Sequence, residues 1–529
     1  MAKSGHQLVP NKSYWRKIAT AATGGILMGL TPDPFSLWLL AWVGLIPLWI
    51  QTQKLKVRDS MVMGAVWGLF YHGMALFWIT GVHPMTWLGV PWLASLSIAI
   101  AVWLSIAICG LVLSSLWAGG MAWLTPNRSI ASRIIIAAAL FCLLETIWSL
   151  GPLYWTALGY TQSPHNLLIL QISRLSGQQT VTAAIVIVNG LLAEAIVRSD
   201  SRRWRYLLTA AGLVLGMTVY GAVIMQPDRM AADNGQALKA GIIQGNIPNP
   251  VKLKFDGLRL GVERYTAGYE QLAQAKADVI LTPETALPFL YPDRDPRRST
   301  FDRSVEKYRV PVWMGGFGSE IGNQTGSNDY TNSLFLLNGS GQTLAEYDKV
   351  RLVPVGEYIP FKQVLGGLIK RLSPLRGEVK FGKDDQLVDT PWGRVIVGIC
   401  YESAYPAHFR YQAAAGGQII FTASNNAHYA ETMPAQHHAQ DVARAVEVDR
   451  WAVRATNTGY SGIVDPNGRT VWISGINTYE THLATVYLRQ TQTLYVALGD
   501  WLTPFLSLLS TGIILLPLLP NFLPKGFKP

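Results

Sequence analysis

A bundle of membrane-spanning helices joined to an α/β domain is the fold class this sequence predicts, and three observations predict it. Half of the 529 residues are hydrophobic and only 15% are charged, against about 25% charged in ordinary soluble proteins. Apolar stretches of near bilayer-crossing length, about 20 residues, recur through the first 226 residues and once more after residue 500. Between Pro227 and Asp500 lies a more polar block in which strand-like and helix-like runs alternate, the pattern of helices layered on a sheet.

Eight spans are expected, at 15–31, 35–51, 61–81, 89–123, 131–150, 177–197, 206–226 and 501–521. They divide the chain into a seven-span membrane domain (1–226), a globular domain (227–500) and an eighth span with its tail (501–529). Lys12, Arg16 and Lys17 precede the first span as in a signal peptide, but the small residues Ala19 to Ala22 come before the apolar core. A cleavage site needs the reverse order, so an uncleaved span is expected.

The formal charge of +11 is concentrated in short loops. Lys3, Lys12, Arg16 and Lys17 precede span one; Lys54, Lys56 and Arg58 separate spans two and three. Arg128 and Arg133 separate four and five; Arg198, Arg202, Arg203 and Arg205 separate six and seven; Lys525 and Lys528 follow span eight. The alternate loops carry Asp33, no charge, and Arg174. Basic loops stay on the cytoplasmic side. Both termini are therefore expected in the cytoplasm and the globular block on the periplasmic face of a bacterial inner membrane. Charges that set topology leave no basic surface for nucleic acid, so none is expected as a partner.

Within the block, Leu238 to Gln244, Asp278 to Leu281, Val312 to Gly315, Ser333 to Leu337, Val395 to Ile399 and Ile419 to Ala423 read as strands. Leu258 to Ala275 and Ala435 to Arg450 read as helices, and Asn338-Gly339 and Asn467-Gly468 as hairpin turns.

Two of these strands, and one further strand end, lead to reactive side chains. Val395 to Ile399 stops at Cys400; Val279 to Leu281 leads through Thr282-Pro283 to Glu284; Lys349 follows Tyr347-Asp348. A thiol has a free pKa near about 8.5 and is a weak nucleophile until it loses its proton. An adjacent ammonium lowers that pKa and a carboxylate can take the proton. After attack on a carbonyl, the ammonium and a backbone N–H can hold the oxyanion. Cys109 and Cys142 lie in apolar runs and read as buried hydrophobes. No disulfide, metal site or cofactor is indicated: His428, His437 and His438 do not form HExxH, and Ser461 is not in a GxSxG elbow. Glu145 lies some twelve residues beyond Arg133, about 18 Å along a helix. An intramembrane carboxylate is a functional suspect; a hydrogen bond to a neighbouring helix is the other reading. Trp38, Trp87, Trp148 and Tyr154 stand at span ends as interfacial anchors.

Thr282 to Thr285, Tyr347 to Pro360 and Gly398 to Glu402 are similar to the three catalytic motifs of the nitrilase (carbon–nitrogen hydrolase) superfamily. Gln244 to Pro248, Arg454 to Gly462 and Gly159 to Gln162 also fit its membrane-embedded branch, the apolipoprotein N-acyltransferase family, which the chain resembles over nearly its whole length. Leu253 or Phe255 stands where that family often has Trp, and the Arg usual a few residues after Glu145 is missing. The resemblance implies a nitrilase-like αββα sandwich with Glu284 as general base, Lys349 as oxyanion stabiliser and Cys400 as nucleophile. Glu357 would orient Lys349, the Tyr401 N–H would complete the oxyanion hole, and Glu402 would support the site.

The implied activity is the last step of lipoprotein maturation. A fatty acyl chain would pass from a phospholipid to Cys400 and then to the amine of an N-terminal diacylglyceryl-cysteine, by a single chain acting as a monomer. The apolar residues Leu287 to Tyr291 are expected to form a rim that excludes water. Two alternatives stand beside this reading: a tethered amidase acting on a soluble amide, and a transporter carrying an inactive outer domain.

Overall fold

The computed structural model describes residues 12–291, 295–319, 329–359, 378–427, 429 and 431–516. Of the residues named above, Lys3, Pro360, His428, Lys525, Lys528 and the last part of the eighth predicted span lie outside the described residues.

Among the described residues, four helices are long and apolar enough to cross a membrane: Trp92–Leu124, Ile130–Ser149, Gln178–Val197 and Arg203–Ile224. Lys12–Gly29 and Val57–Ala75 occupy the first and third predicted stretches, and Leu502–Leu515 the eighth. The second predicted stretch is interrupted. Residues 35–51 form a short 3-10 helix, Trp38–Trp42, and a separate helix, Ile46–Thr52. Together they make one short apolar segment, Trp38–Thr52. Small residues let the helices approach: a Cβ on Gly64 would stand 2.3 Å from the Ser114 carbonyl oxygen, so Val57–Ala75 and Trp92–Leu124 touch backbone to backbone there. Trp49, Trp67 and Trp117 fill the interior and are fully buried.

Glu145 has a structural job. It accepts hydrogen bonds from the Leu158 N–H and Thr182 Oγ1, both at 2.8 Å, and so ties the segment after its helix to the next one. Arg133 pairs instead with Glu194, at 2.6 Å.

The C-terminal half is a four-layer α/β sandwich. One sheet runs Glu480–Tyr487, Ala237–Gln244, Val279–Leu281, Val312–Ser319, Tyr330–Leu337, Thr343–Asp348, with Leu290–Tyr291 and Val379–Lys380 paired at its side. The other runs Thr470–Ile473, Gly462–Val464, Ala452–Thr456, Ile420–Ser424, Gly393–Ile399, Val388–Thr390. Alternation builds the layers, because successive side chains of a strand point to opposite faces. Leu238, Ala240 and Ile242 meet Val395, Val397 and Ile399 between the sheets. Ile243 and Ile280 point outward under helices Phe255–Gln274 and Ser299–Tyr308. Ile396 and Ile420 point outward under Pro406–Ala414 and Thr432–Val448.

The two halves interlock. Tyr160 donates to the Ala404 carbonyl (3.2 Å) and accepts from the buried Arg444 (3.0 Å). Tyr154 is 1% exposed. It is therefore not an interfacial anchor; its ring lies against Trp148, Tyr160 and Tyr405, beneath the turn that carries Cys400.

Candidate active site

Parallel strands open at one edge of a sheet bring their C-terminal ends to a common rim. Val279–Leu281 and Gly393–Ile399 release Glu284 and Cys400 there, one from each sheet. Cys400 takes φ of +53°, a left-handed conformation that costs a non-glycine residue about 1–3 kcal/mol and persists only when its surroundings enforce it.

Glu402 is the main enforcer. Fully buried, it accepts from the Ile399 N–H (2.6 Å), the Val350 N–H (2.5 Å), the Arg351 N–H (3.1 Å) and the Tyr347 hydroxyl (2.9 Å). One carboxylate thus locks the turn bearing Cys400 to the loop bearing Lys349.

The charged set is compact. Lys349 Nζ donates to Glu284 Oε1 (2.8 Å) and to Glu357 (2.9–3.0 Å). Asn332 Nδ2 bridges the same two carboxylates, at 2.7 and 2.8 Å. Glu357 also accepts from the Val353 N–H at 2.8 Å, which closes the loop around Lys349. Burial raises the Glu284 carboxyl, but the Lys349 charge and the bonds from Lys349 and Asn332 hold it below the usual range. Burial works against the Lys349 charge, yet Glu284 and Glu357 keep its ammonium protonated well above the ordinary lysine range.

The thiol departs from the simplest expectation. Burial, with the Glu284 charge adding to it, pushes Cys400 up to about 12, although Lys349 and the Asn425 backbone N–H pull the other way. At neutral pH Cys400 is a thiol beside a carboxylate, not a primed thiolate. Ammonium proximity is outweighed because the Lys349 charge is already matched by two carboxylates.

All six residues singled out from the sequence therefore converge: Glu284, Lys349, Glu357 and Cys400 as one electrostatic group, Tyr401 and Glu402 on the adjoining turn. Tyr401 stacks on Trp155 with centroids 6.1 Å apart and planes at 10°. Sequence reasoning missed Asn332 and Lys252. Asn332 is a buried amide in a strand buried along its whole length, a misfit legible in Tyr330 to Leu337. Lys252, 4% exposed, donates to the Glu284 carbonyl (3.0 Å) and Thr285 Oγ1 (2.8 Å), pinning the Glu284 backbone.

The predicted rim is not one. Leu287, Phe289 and Tyr291 are buried against Phe301 and Tyr265 under the outer helices, and only Leu290 is exposed. Much of the apolar lining comes instead from the helical half. A cavity of about 350 Å³ is bounded by Cys400 and Tyr401 on one side and by Trp78, Val102, Ile106 and Trp155 on the other. Trp87 lines it too.

The sequence model of the carbon-nitrogen hydrolase family matches residues 239–495. That of the apolipoprotein N-acyltransferase N-terminal domain matches residues 24–191. Apolipoprotein N-acyltransferase from Nostoc sp. (strain PCC 7120) is 50% identical over 489 residues, covering 91% of this chain and 96% of that protein. The one from Synechocystis sp. (strain PCC 6803) is 42% identical over 516 residues, covering 92% and 98%. The chain belongs to the apolipoprotein N-acyltransferase family and is a membrane acyltransferase built on a carbon–nitrogen hydrolase domain.

Proposed function

We propose that the chain transfers an acyl group from a phospholipid to the α-amine of an N-terminal diacylglyceryl-cysteine, through a thioester on Cys400. Cys400 Sγ attacks the ester carbonyl as Glu284 takes the thiol proton. Lys349 Nζ spends two N–H groups on Glu284 and Glu357; the third, with the Tyr401 N–H, holds the oxyanion. Collapse expels the lysophospholipid oxygen, which takes its proton from Glu284. The acceptor amine then attacks the thioester, Glu284 receives its proton, and the thiol re-forms.

The observation that carries this reading is the cavity whose walls come from both halves of the chain and which reaches Cys400. An amidase acting on a soluble amide has no use for such a lining. Within it, each methylene moved from water contributes about 0.8 kcal/mol. The family name of the relatives supports a lipoprotein acceptor. The site is complete within one chain, which supports action as a monomer. The basic loops support a topology with both termini cytoplasmic and residues 227–500 periplasmic, flanked by a membrane domain at 1–226 and a last membrane segment in 501–529.

The test is partition. Purified protein loaded with radiolabelled phospholipid is chased with a diacylated lipopeptide bearing a free amine. The reading expects label on the peptide amine in large excess over free fatty acid. Free fatty acid as the main product, unaffected by the lipopeptide, would make the chain a hydrolase.

A further inference from the structure

One buried histidine faces the nucleophile from a helix that the chemistry above does not use. His437, in Thr432–Val448, is 0% exposed and its Nε2 lies 2.8 Å from the Cys400 carbonyl oxygen. A carbonyl only accepts, so Nε2 carries the hydrogen. The ring is neutral: burial, then the Arg454 charge, lowers it to about 3. Nδ1 must then accept, and it lies 3.2 Å from the side-chain amide of Asn426. The Asn426 amino group otherwise has no partner among the described residues, so turning that amide satisfies both groups.

The Cys400 carbonyl and the Tyr401 N–H belong to one peptide unit. That unit is planar, with its C=O and N–H pointing in opposite directions. Whatever holds the carbonyl also aims the N–H. The need is real here, because Cys400 sits at positive φ.

The preceding residue ties this peptide to the cavity. Gln436 Oε1 accepts from the indole N–H of Trp78 (3.0 Å) and of Trp155 (2.9 Å). Its Nε2 donates to the Asp33 and Ala75 carbonyls, at 2.8 and 2.9 Å. Both tryptophans line the cavity, and Trp155 backs the Tyr401 ring and lies 5.6 Å from the His437 ring.

We infer that His437 is a positioning residue for acyl transfer. Its Nε2–H, on the Cys400 carbonyl, turns the Cys400–Tyr401 peptide so that the Tyr401 N–H faces the oxyanion, and Gln436 beside it keys that peptide to the tryptophan wall of the cavity. The inference rests on the proposed thioester chemistry and adds a residue to it.

The test compares two reactions of the same sulfur. Acylation by phospholipid passes through an oxyanion; alkylation by iodoacetamide does not. His437→Phe keeps the ring volume and removes the donor. His437→Gln places an amide N–H near the Nε2 position. We expect the single-turnover acylation rate constant of full-length His437→Phe in detergent micelles to fall roughly 10- to 100-fold, the scale of a misaimed catalytic group. Its alkylation rate should stay within about twofold, and His437→Gln should acylate at least about threefold faster than His437→Phe. A loss below tenfold, a parallel loss of alkylation, or no recovery with Gln overturns the inference. Should the Phe variant not fold, His437→Gln is compared with His437→Asn, whose amide stops at the Nδ1 position; equal acylation rates overturn it. Failure of the thioester chemistry itself reads differently, as absence of acylation in the unmutated protein.

Discussion

Replacing Glu402 by Gln separates positioning from chemistry at this site. The side chain touches neither the cavity nor the sulfur, yet it accepts four hydrogen bonds in complete burial. Oε1 serves Val350 and Arg351, and Oε2 serves Ile399 and Tyr347. A carboxamide has one acceptor oxygen. If it serves Val350 and Arg351, its amino group faces the Ile399 N–H, donor against donor. The Tyr347 hydroxyl can rotate to accept; the Ile399 N–H cannot. One buried N–H is left unsatisfied, at about 1–3 kcal/mol, and bonds to a charged group become neutral ones, at roughly 1 kcal/mol more. Glu402→Gln should therefore lose about 2–4 kcal/mol of stability. The turn that holds Cys400 at positive φ loosens, and a displacement of about 1 Å costs on the order of 100-fold in rate. The assays are thermal unfolding in detergent and single-turnover acylation across phospholipid concentrations. The expected result is a lower midpoint and a rate constant down about 100-fold, with half-saturation nearly unchanged. Unfolding and acylation both matching the unmutated protein would falsify the view that this carboxylate enforces the turn.

Three further outcomes follow from the same geometry. The acylation rate should be level around neutral pH, because Glu284 is held below the usual carboxylate range and Cys400 is pushed up to about 12. The rate should fall only at lower pH, as Glu284 gains its proton, and a rise centred near 8.5 would show a free thiol acting through its own ionisation. Asn332→Leu removes the bridge between Glu284 and Glu357; the acid limb of that profile should move to higher pH and stability drop by about 2–4 kcal/mol, measured by stopped-flow and unfolding curves. Ile106→Trp narrows the cavity opposite Cys400. Each methylene it excludes should cost about 0.8 kcal/mol, roughly fourfold in kcat/KM, so competition between long-chain and short-chain phospholipids should shift toward the short. Unchanged selectivity would place the acyl chain elsewhere.

Much of the fold was legible because apolar strands of the block end at the residues that matter. Val395 to Ile399 and Val279 to Leu281 mark buried strands by composition alone, and a sandwich then places their ends at one rim. What the sequence hid depends on which surface covers which. Leu287 to Tyr291 reads as a water-excluding lip, but the same apolarity serves a packed core, and helices Phe255–Gln274 and Ser299–Tyr308 claim it. Residues 35–51 are apolar enough for a span, yet the chain breaks after Trp42, where Gly44 packs against Met28. Tyr154 has the composition of an anchor and the position of a support. Asn332 is a three-dimensional bridge between carboxylates 48 and 25 residues away, a relation no local pattern carries. The thiol's protonation state hides for the same reason, since it is set by burial and by how completely Lys349 is matched.

Intact-protein mass spectrometry after brief mixing with a phospholipid of defined chains addresses the central claim most directly. The account predicts one added acyl group, mapped to Cys400, released by neutral hydroxylamine as a thioester is, and absent in Cys400→Ala and Glu284→Gln. An acyl group carried on another side chain, or a Cys400→Ala protein that still delivers fatty acid to an amine, would contradict it.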